Sequence, residues 1–128
     1  MKLLLDTQLL LWIAVTPERL GNAARTLIED RDNELVFSVV SIWETAIKAA
    51  LGRSDFTANP RRIRQGLLER GYQELTVTGA HALAVGELPP IHRDPFDRLL
   101  VAQAYHEGLV LLTTDRVLAD YPTNIRLV

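Results

Sequence analysis

The 128-residue sequence contains no cysteine. Disulfides, thiolate nucleophiles and cysteine-based zinc sites are excluded with it, while the redox compartment stays open. Long hydrophobic runs are missing too. No apolar stretch approaches the roughly 18–20 residues of a bilayer span, so no membrane partner is expected. There is no basic excess either: the formal net charge is −2, which argues against strong non-specific binding to polyanions. Neither a Gly-x-x-x-x-Gly-Lys loop nor a Gly-x-Gly-x-x-Gly run follows the first apolar segment, so the common nucleotide-phosphate cradles are lacking. The three histidines, His81, His92 and His106, are scattered without metal-ligand spacing. His92 and His106 read as surface residues rather than ligands, and no nucleophile–histidine triad suggests itself.

What is present is ordinary for a globule: 48% hydrophobic and 23% charged residues. Residues 1–128 read as one domain, long enough for a core without staples. The apolar start, Met1–Val15, carries one lysine, is interrupted by Asp6 and lacks a small-residue cleavage site, so a cytoplasmic location is expected.

The pattern alternates strands with helices. Lys2–Leu5 reads as a buried strand, followed by a helix over Thr7–Ala14. Thr16-Pro17 reads as an N-cap and first helical position, with the helix running to about Asp30. Glu34–Val39 is a second strand. Ser41–Leu51 is helical, closed by Gly52. Arg53–Asn59 reads as a loop, Pro60–Arg70 as a basic amphipathic helix, Gln73–Val77 as a third strand and Thr78–Gly86 as a helix. Pro95–Glu107 is a helix stopped by Gly108. Leu109–Leu112 is an apolar strand, Asp115–Asp120 a helical turn, and Asn124–Val128 an edge strand. This order implies right-handed crossovers and a five-stranded parallel sheet covered on both faces.

Four acids follow directly on apolar runs: Asp6, Glu44, Asp97 and Asp115. Each also has a structural reading. Asp6 and Asp115 can cap the turns they open. Ser41-Ile42-Trp43-Glu44 matches a capping box, and Glu44 precedes Lys48 by four residues. Asp94-Pro95 reads as a cap that places Asp97 in a first helical turn. The sheet geometry favours function. In an open parallel sheet, ligands bind beyond the carboxyl ends of the strands, and all four acids arrive at that edge. Each like-charge pair there costs about 3–4 kcal/mol at an effective dielectric near 20. A hard divalent cation would remove most of that cost and activate water for phosphodiester hydrolysis.

These residues together resemble a PIN domain, and more narrowly the toxin of a VapBC-type toxin–antitoxin pair. The resemblance rests on LLLDTQLLLW (Leu3–Trp12), VSIWETAIKAALGR (Val40–Arg53), HRDPFDRLLVAQA (His92–Ala104) and LLTTD (Leu111–Asp115). It implies a three-layer α/β/α sandwich and an endoribonuclease dependent on Mg²⁺ or Mn²⁺. A homodimer, an RNA substrate and a small inhibitory antitoxin are implied with it. The family's acids carry over onto Asp6, Glu44, Asp97 and Asp115. Asp6 and Asp97 are the expected direct ligands, and Glu44 and Asp115 serve a second ion or water. Asp94 caps a helix near the site, and Thr7 and Thr114 orient ligands or water. Relatives often carry histidine where this chain has Gln8, so a proton-transfer role at that position is not expected.

Arg53, Arg61, Arg62 and Arg64 can guide RNA phosphates or simply form a solvated face. Arg93, Arg98 and Arg116 lie beside the acids in sequence and read as phosphate contacts, with pairing to a neighbouring acid as the alternative for Arg98. Trp12 and Trp43 read as core, with base stacking or an antitoxin contact as the alternative for an exposed one, and Leu9–Val15 as core or as an interaction surface. Two readings compete with the ribonuclease. One is a receiver-type Mg²⁺-binding signalling module, which needs a lysine after the last strands, whereas the chain's lysines are Lys2 and Lys48. The other is an inactive binding protein of the same fold.

Overall fold

The computed structural model describes residues 1–52 and 58–128. Arg53, singled out above, lies outside the described residues. The elements run β1 (Lys2–Leu5), α1 (Thr7–Ala14), a 3-10 turn (Pro17–Arg19), α2 (Asn22–Glu29), β2 (Glu34–Ser38), α3 (Val39–Ala50) and α4 (Pro60–Glu69). They continue with β3 (Gln73–Leu75), α5 (Gly79–Val85), α6 (Pro95–Glu107), β4 (Val110–Thr113), a second 3-10 turn (Leu118–Asp120) and β5 (Ile125–Leu127). The five strands form one parallel sheet in the order β3-β2-β1-β4-β5.

β1 is central because it is apolar on both faces. In a strand, successive side chains point to opposite sides. Leu3 and Leu5 therefore join one core with Phe37, Leu112 and the buried residues of α1 and α4. Leu4 joins the other core with Val36, Leu111 and the inner side of α6. Register follows: Leu3 lies opposite Leu35 and Val110, and Leu4 opposite Leu111. A sheet buried on both faces reads as unbroken hydrophobic runs, which is how the three central strands are written, whereas the edge strands β3 and β5 carry polar residues. The three-layer α/β/α sandwich expected from the alternation is the one found.

Several local expectations are corrected. No single helix spans Thr16–Asp30. Thr16 makes no side-chain cap, Leu20 and Gly21 are extended, and α2 begins only at Asn22. The α3 cap is Ser38, whose hydroxyl accepts the N–H of Val40, so Ser41 lies inside the helix and the capping box does not form. Ser38 prevails because β2 passes directly into α3, leaving no room for a separate cap three residues on. Gly108 ends α6 as expected, with φ +66°, a left-handed turn that glycine adopts without steric cost.

A buried polar cluster ties α6 to the strand ends. Gln103 accepts the Ser38 hydroxyl and donates to the carbonyl of Thr76. His81 caps α5 from within: Nδ1 accepts the N–H of Thr78, and Nε2 lies 2.7 Å from Glu107. Trp12 is only part-buried, and its indole N–H is buried with no acceptor among the described residues. Trp43, expected in the core, is 55% exposed and stands edge-on to Phe96. Leu9 and Leu10 are core, whereas Val15 is exposed.

Candidate functional site: an acidic cleft at the switch point

The strand order reverses between β1 and β4, so a crevice opens beyond their carboxyl ends. A cleft of about 290 Å³ occupies it. Asp6, Thr7, Gln8, Glu44, Asp94, Asp97, Thr114 and Asp115 all line it, with Lys48 and Leu11. The structure thus brings together residues that the sequence spreads over 110 positions.

Each acid is held by a different device. Asp6 ends β1 and caps α1. One carboxylate oxygen accepts the N–H of Leu9 at 2.9 Å, the other the hydroxyl of Thr113 at 2.6 Å. Glu44 sits in the second turn of α3, and helical side chains lean toward the N-terminus. It therefore reaches back to Thr7, which donates to Oε1 at 2.8 Å, while Lys48 donates to Oε2 at 2.8 Å. The expected Glu44–Lys48 pair is present, and both of Glu44's oxygens are engaged. Asp94 caps α6 by accepting the N–H groups of Phe96 and Asp97. Asp97 follows in the first turn. Asp115 leaves β4 through Thr114, and its own N–H donates to Thr113 Oγ1 at 3.0 Å.

Charge is poorly compensated here. Burial pushes the Asp6 carboxyl above its ordinary range, and the charges of Asp115 and Glu44 push the same way. Hydrogen bonds from Thr113 and Leu9 oppose the rise. Asp97 is pushed up to about 7, first by burial, then by Asp94 and Glu44, against a lowering by His92. Carboxylates this crowded hold protons or a cation. All the donors are hard oxygens, a set that fits a divalent cation of the Mg²⁺ type.

Two residues were not found from sequence. Thr113 joins Asp6 to the Asp115 backbone; the Thr-Thr pair ending β4 was the only signal, and the expectation fell on Thr114. His92 was expected at the surface. It is instead half-buried, with Nε2 2.9 Å from Asp115. Its place directly before Arg93-Asp94 is a signal the sequence carried.

The arginines divide. Arg98 has its guanidinium engaged away from the cleft and pairs with no acid among the described residues. It donates to the carbonyls of Val85 and Pro89 and to the hydroxyl of Tyr121, closing the C-terminal end of α5 against α6. Its position one turn into α6 points it at that helix end rather than at the cleft. Arg64 pairs with Glu74 at the surface. Arg61, Arg62, Arg93 and Arg116 are exposed and make no ion pair among the described residues.

A parallel α/β sandwich with acids gathered at its topological switch point is a recognisable class of protein. The strand order also separates it from receiver-type domains, whose sheets run 2-1-3-4-5. The PIN domain model matches residues 3–124, and the chain belongs to the PIN domain family. It is 33% identical over 119 residues to ribonuclease VapC22 of Mycobacterium tuberculosis, covering 92% of this chain and 90% of that one. Among solved structures it resembles VapBC2 from Rickettsia felis bound to a promoter DNA fragment. There the TM-score is 0.77 at 14% identity, over 100% of this chain and 99% of that one. VapBC-5 from M. tuberculosis gives 0.61 at 20% identity, over 99% and 97%. At such identities the structural likeness concerns the fold. No helix among the described residues is long and apolar enough to cross a membrane.

Proposed function

We propose that this chain is a metal-dependent endoribonuclease, the toxin of a type II toxin–antitoxin pair, hydrolysing RNA phosphodiesters with Mg²⁺ or Mn²⁺. One observation carries the reading: Asp6, Glu44, Asp97 and Asp115 converge in one cleft, where two of the carboxyls rise above their ordinary range. The similarity to a protein named as a ribonuclease supports it.

Asp6 and Asp97 would be the direct oxygen donors, and Glu44 and Asp115 would serve a second ion or its water. The chemistry a divalent cation would supply there is a lowered pKa for bound water and neutralisation of charge on the phosphate. The chain itself supplies orientation. Thr113 and the Leu9 N–H fix both oxygens of Asp6, and Thr7 and Lys48 fix those of Glu44. Asp94 holds the first turn of α6 and with it Asp97. Lys48, partly exposed in the cleft, can pass from Glu44 to a substrate phosphate. Arg93 and Arg116 flank the cleft in sequence and are free to meet the RNA backbone, as Arg61 and Arg62 are on α4. Thr114, also lining the cleft, positions water. Gln8 is exposed at the rim and takes hydrogen bonds without titrating.

An antitoxin partner, a homodimer and a cytoplasmic location belong to the same reading. The VapBC complexes among the structural relatives support the partner.

The test is cleavage of total RNA by purified protein with and without chelator. Cleavage should require Mg²⁺ or Mn²⁺ and should vanish in Asp6→Asn and Asp97→Asn. Undiminished cleavage by both folded variants would overturn the assignment. Light scattering tests the dimer.

A further inference from the structure

The loop entering α6 carries His92, whose side chain is 19% exposed. Its ring is held at both edges. Nδ1 accepts the backbone N–H of Asp94 at 3.0 Å. Nε2 lies 2.9 Å from one carboxylate oxygen of Asp115 and 3.6 Å from one of Asp97. The backbone N–H of His92 donates to the buried hydroxyl of Tyr121, which also accepts from Arg98. Backbone, ring and the start of α6 are therefore one tied unit.

An imidazole nitrogen that accepts a backbone N–H carries no proton itself. In the neutral ring the proton is then on Nε2, aimed at Asp115. The opposite tautomer would set Nδ1–H against the Asp94 N–H, donor against donor. The same argument removes His92 as a cation ligand through Nε2. That holds even though Nε2 and the oxygens of Asp97 and Asp115 all lie within 4.8 Å of one another.

We propose that His92 is a positioning residue of the cleft: its Nε2–H holds Asp115 in the orientation that binds the cation. The other Asp115 oxygen accepts the N–H of Val117 at 3.0 Å, so the carboxylate is gripped from both sides. Each oxygen keeps a lone pair for the cleft. Without His92, the Val117 N–H is the one remaining contact on the Asp115 carboxylate among the described residues, and on its half-exposed rim the carboxylate turns toward water. The proposal rests on the reading of the cleft as a cation site.

Two substitutions separate the ring's two bonds. His92→Asn keeps an acceptor for the Asp94 N–H but has no donor that reaches Asp115. His92→Gln extends an amide donor to about the position of Nε2. Mn²⁺ affinity of the full chain is read by calorimetry, alongside unfolding in chelator and RNA cleavage. His92→Asn should bind Mn²⁺ about 10–100-fold more weakly while unfolding in chelator like the wild type. His92→Gln should recover most of the affinity. Nitrogen NMR of the metal-free wild type at mildly alkaline pH should give the Nε2–H tautomer, a readout that needs neither variant to fold. Undiminished affinity in His92→Asn, equal weakness in both variants, or an Nδ1–H tautomer would each overturn the proposal. A wild type that binds no Mn²⁺ would sink the cation reading instead, and the tautomer would still judge His92.

Discussion

Neutralising Asp97 should stabilise the metal-free protein while destroying its activity. In the folded chain this carboxyl stands at about 7 instead of its ordinary 3.8. A raised carboxyl favours folding when protonated. The native state is free of this penalty below the unfolded value, loses stability as pH climbs between the two values, and carries the whole cost above about 7. At about 1.4 kcal/mol per tenfold, the ceiling is about 4 kcal/mol. The side chain is 22% exposed, so water and salt screen part of this, and about 1–2 kcal/mol is the working figure. Among the described residues Asp97 makes no close hydrogen bond through its carboxylate that asparagine would lose; His92 is 3.6 Å away. Asp97→Asn should therefore raise the melting temperature in chelator at pH 8 by roughly 3–8 °C, with the gain fading toward pH 4. Mn²⁺ should raise the melting temperature of the wild type and leave that of the variant nearly unchanged. Scanning calorimetry across pH, with and without metal, measures all of this. A variant less stable than the wild type in chelator at pH 8 would refute the claim that this cleft concentrates uncompensated charge.

Other expectations are separable from that one. Thr113→Val removes the hydroxyl that grips Asp6 and the Asp115 N–H. It should cost about 1–3 kcal/mol in urea unfolding and weaken Mn²⁺ binding in calorimetry. Gln103→Leu leaves the buried Ser38 hydroxyl without an acceptor and takes the side-chain donor from the Thr76 carbonyl. Stability should fall by about 1–3 kcal/mol, with RNA cleavage per folded molecule retained. Arg98→Lys should destabilise by about 1–2 kcal/mol, because one ammonium cannot replace a fork on two carbonyls and a hydroxyl. Its KM for RNA should stay unchanged, whereas Arg93→Ala or Arg116→Ala should raise KM in a salt-dependent way.

The fold was legible wherever a signal is local and repetitive. Pro95–Glu107 announced itself by a capping aspartate, a proline and a closing glycine, and the helix has those bounds. The helix expected over Thr16–Asp30 was not legible. Thr16-Pro17 starts only a 3-10 turn, and the break at Leu20-Gly21 needs just one glycine, a weak signal. Ser38 and Ser41 are both reasonable caps on paper. Only the point where β2 leaves the sheet chooses between them.

Chemistry divides the same way. The amino-acid order alone placed acids after apolar runs and made the three central strands hydrophobic on both faces, because those properties depend on neighbours in the chain. It could not say that β1 lies between β2 and β4, since strand order is set by how whole layers pack. That packing puts Thr113 against Asp6 across 107 positions and His92 against Asp115. It also turns Arg98 toward the end of another helix. Hydrogen bonds between distant segments leave no periodic trace in either partner, so tertiary structure alone decided which side chains hold the acids in place.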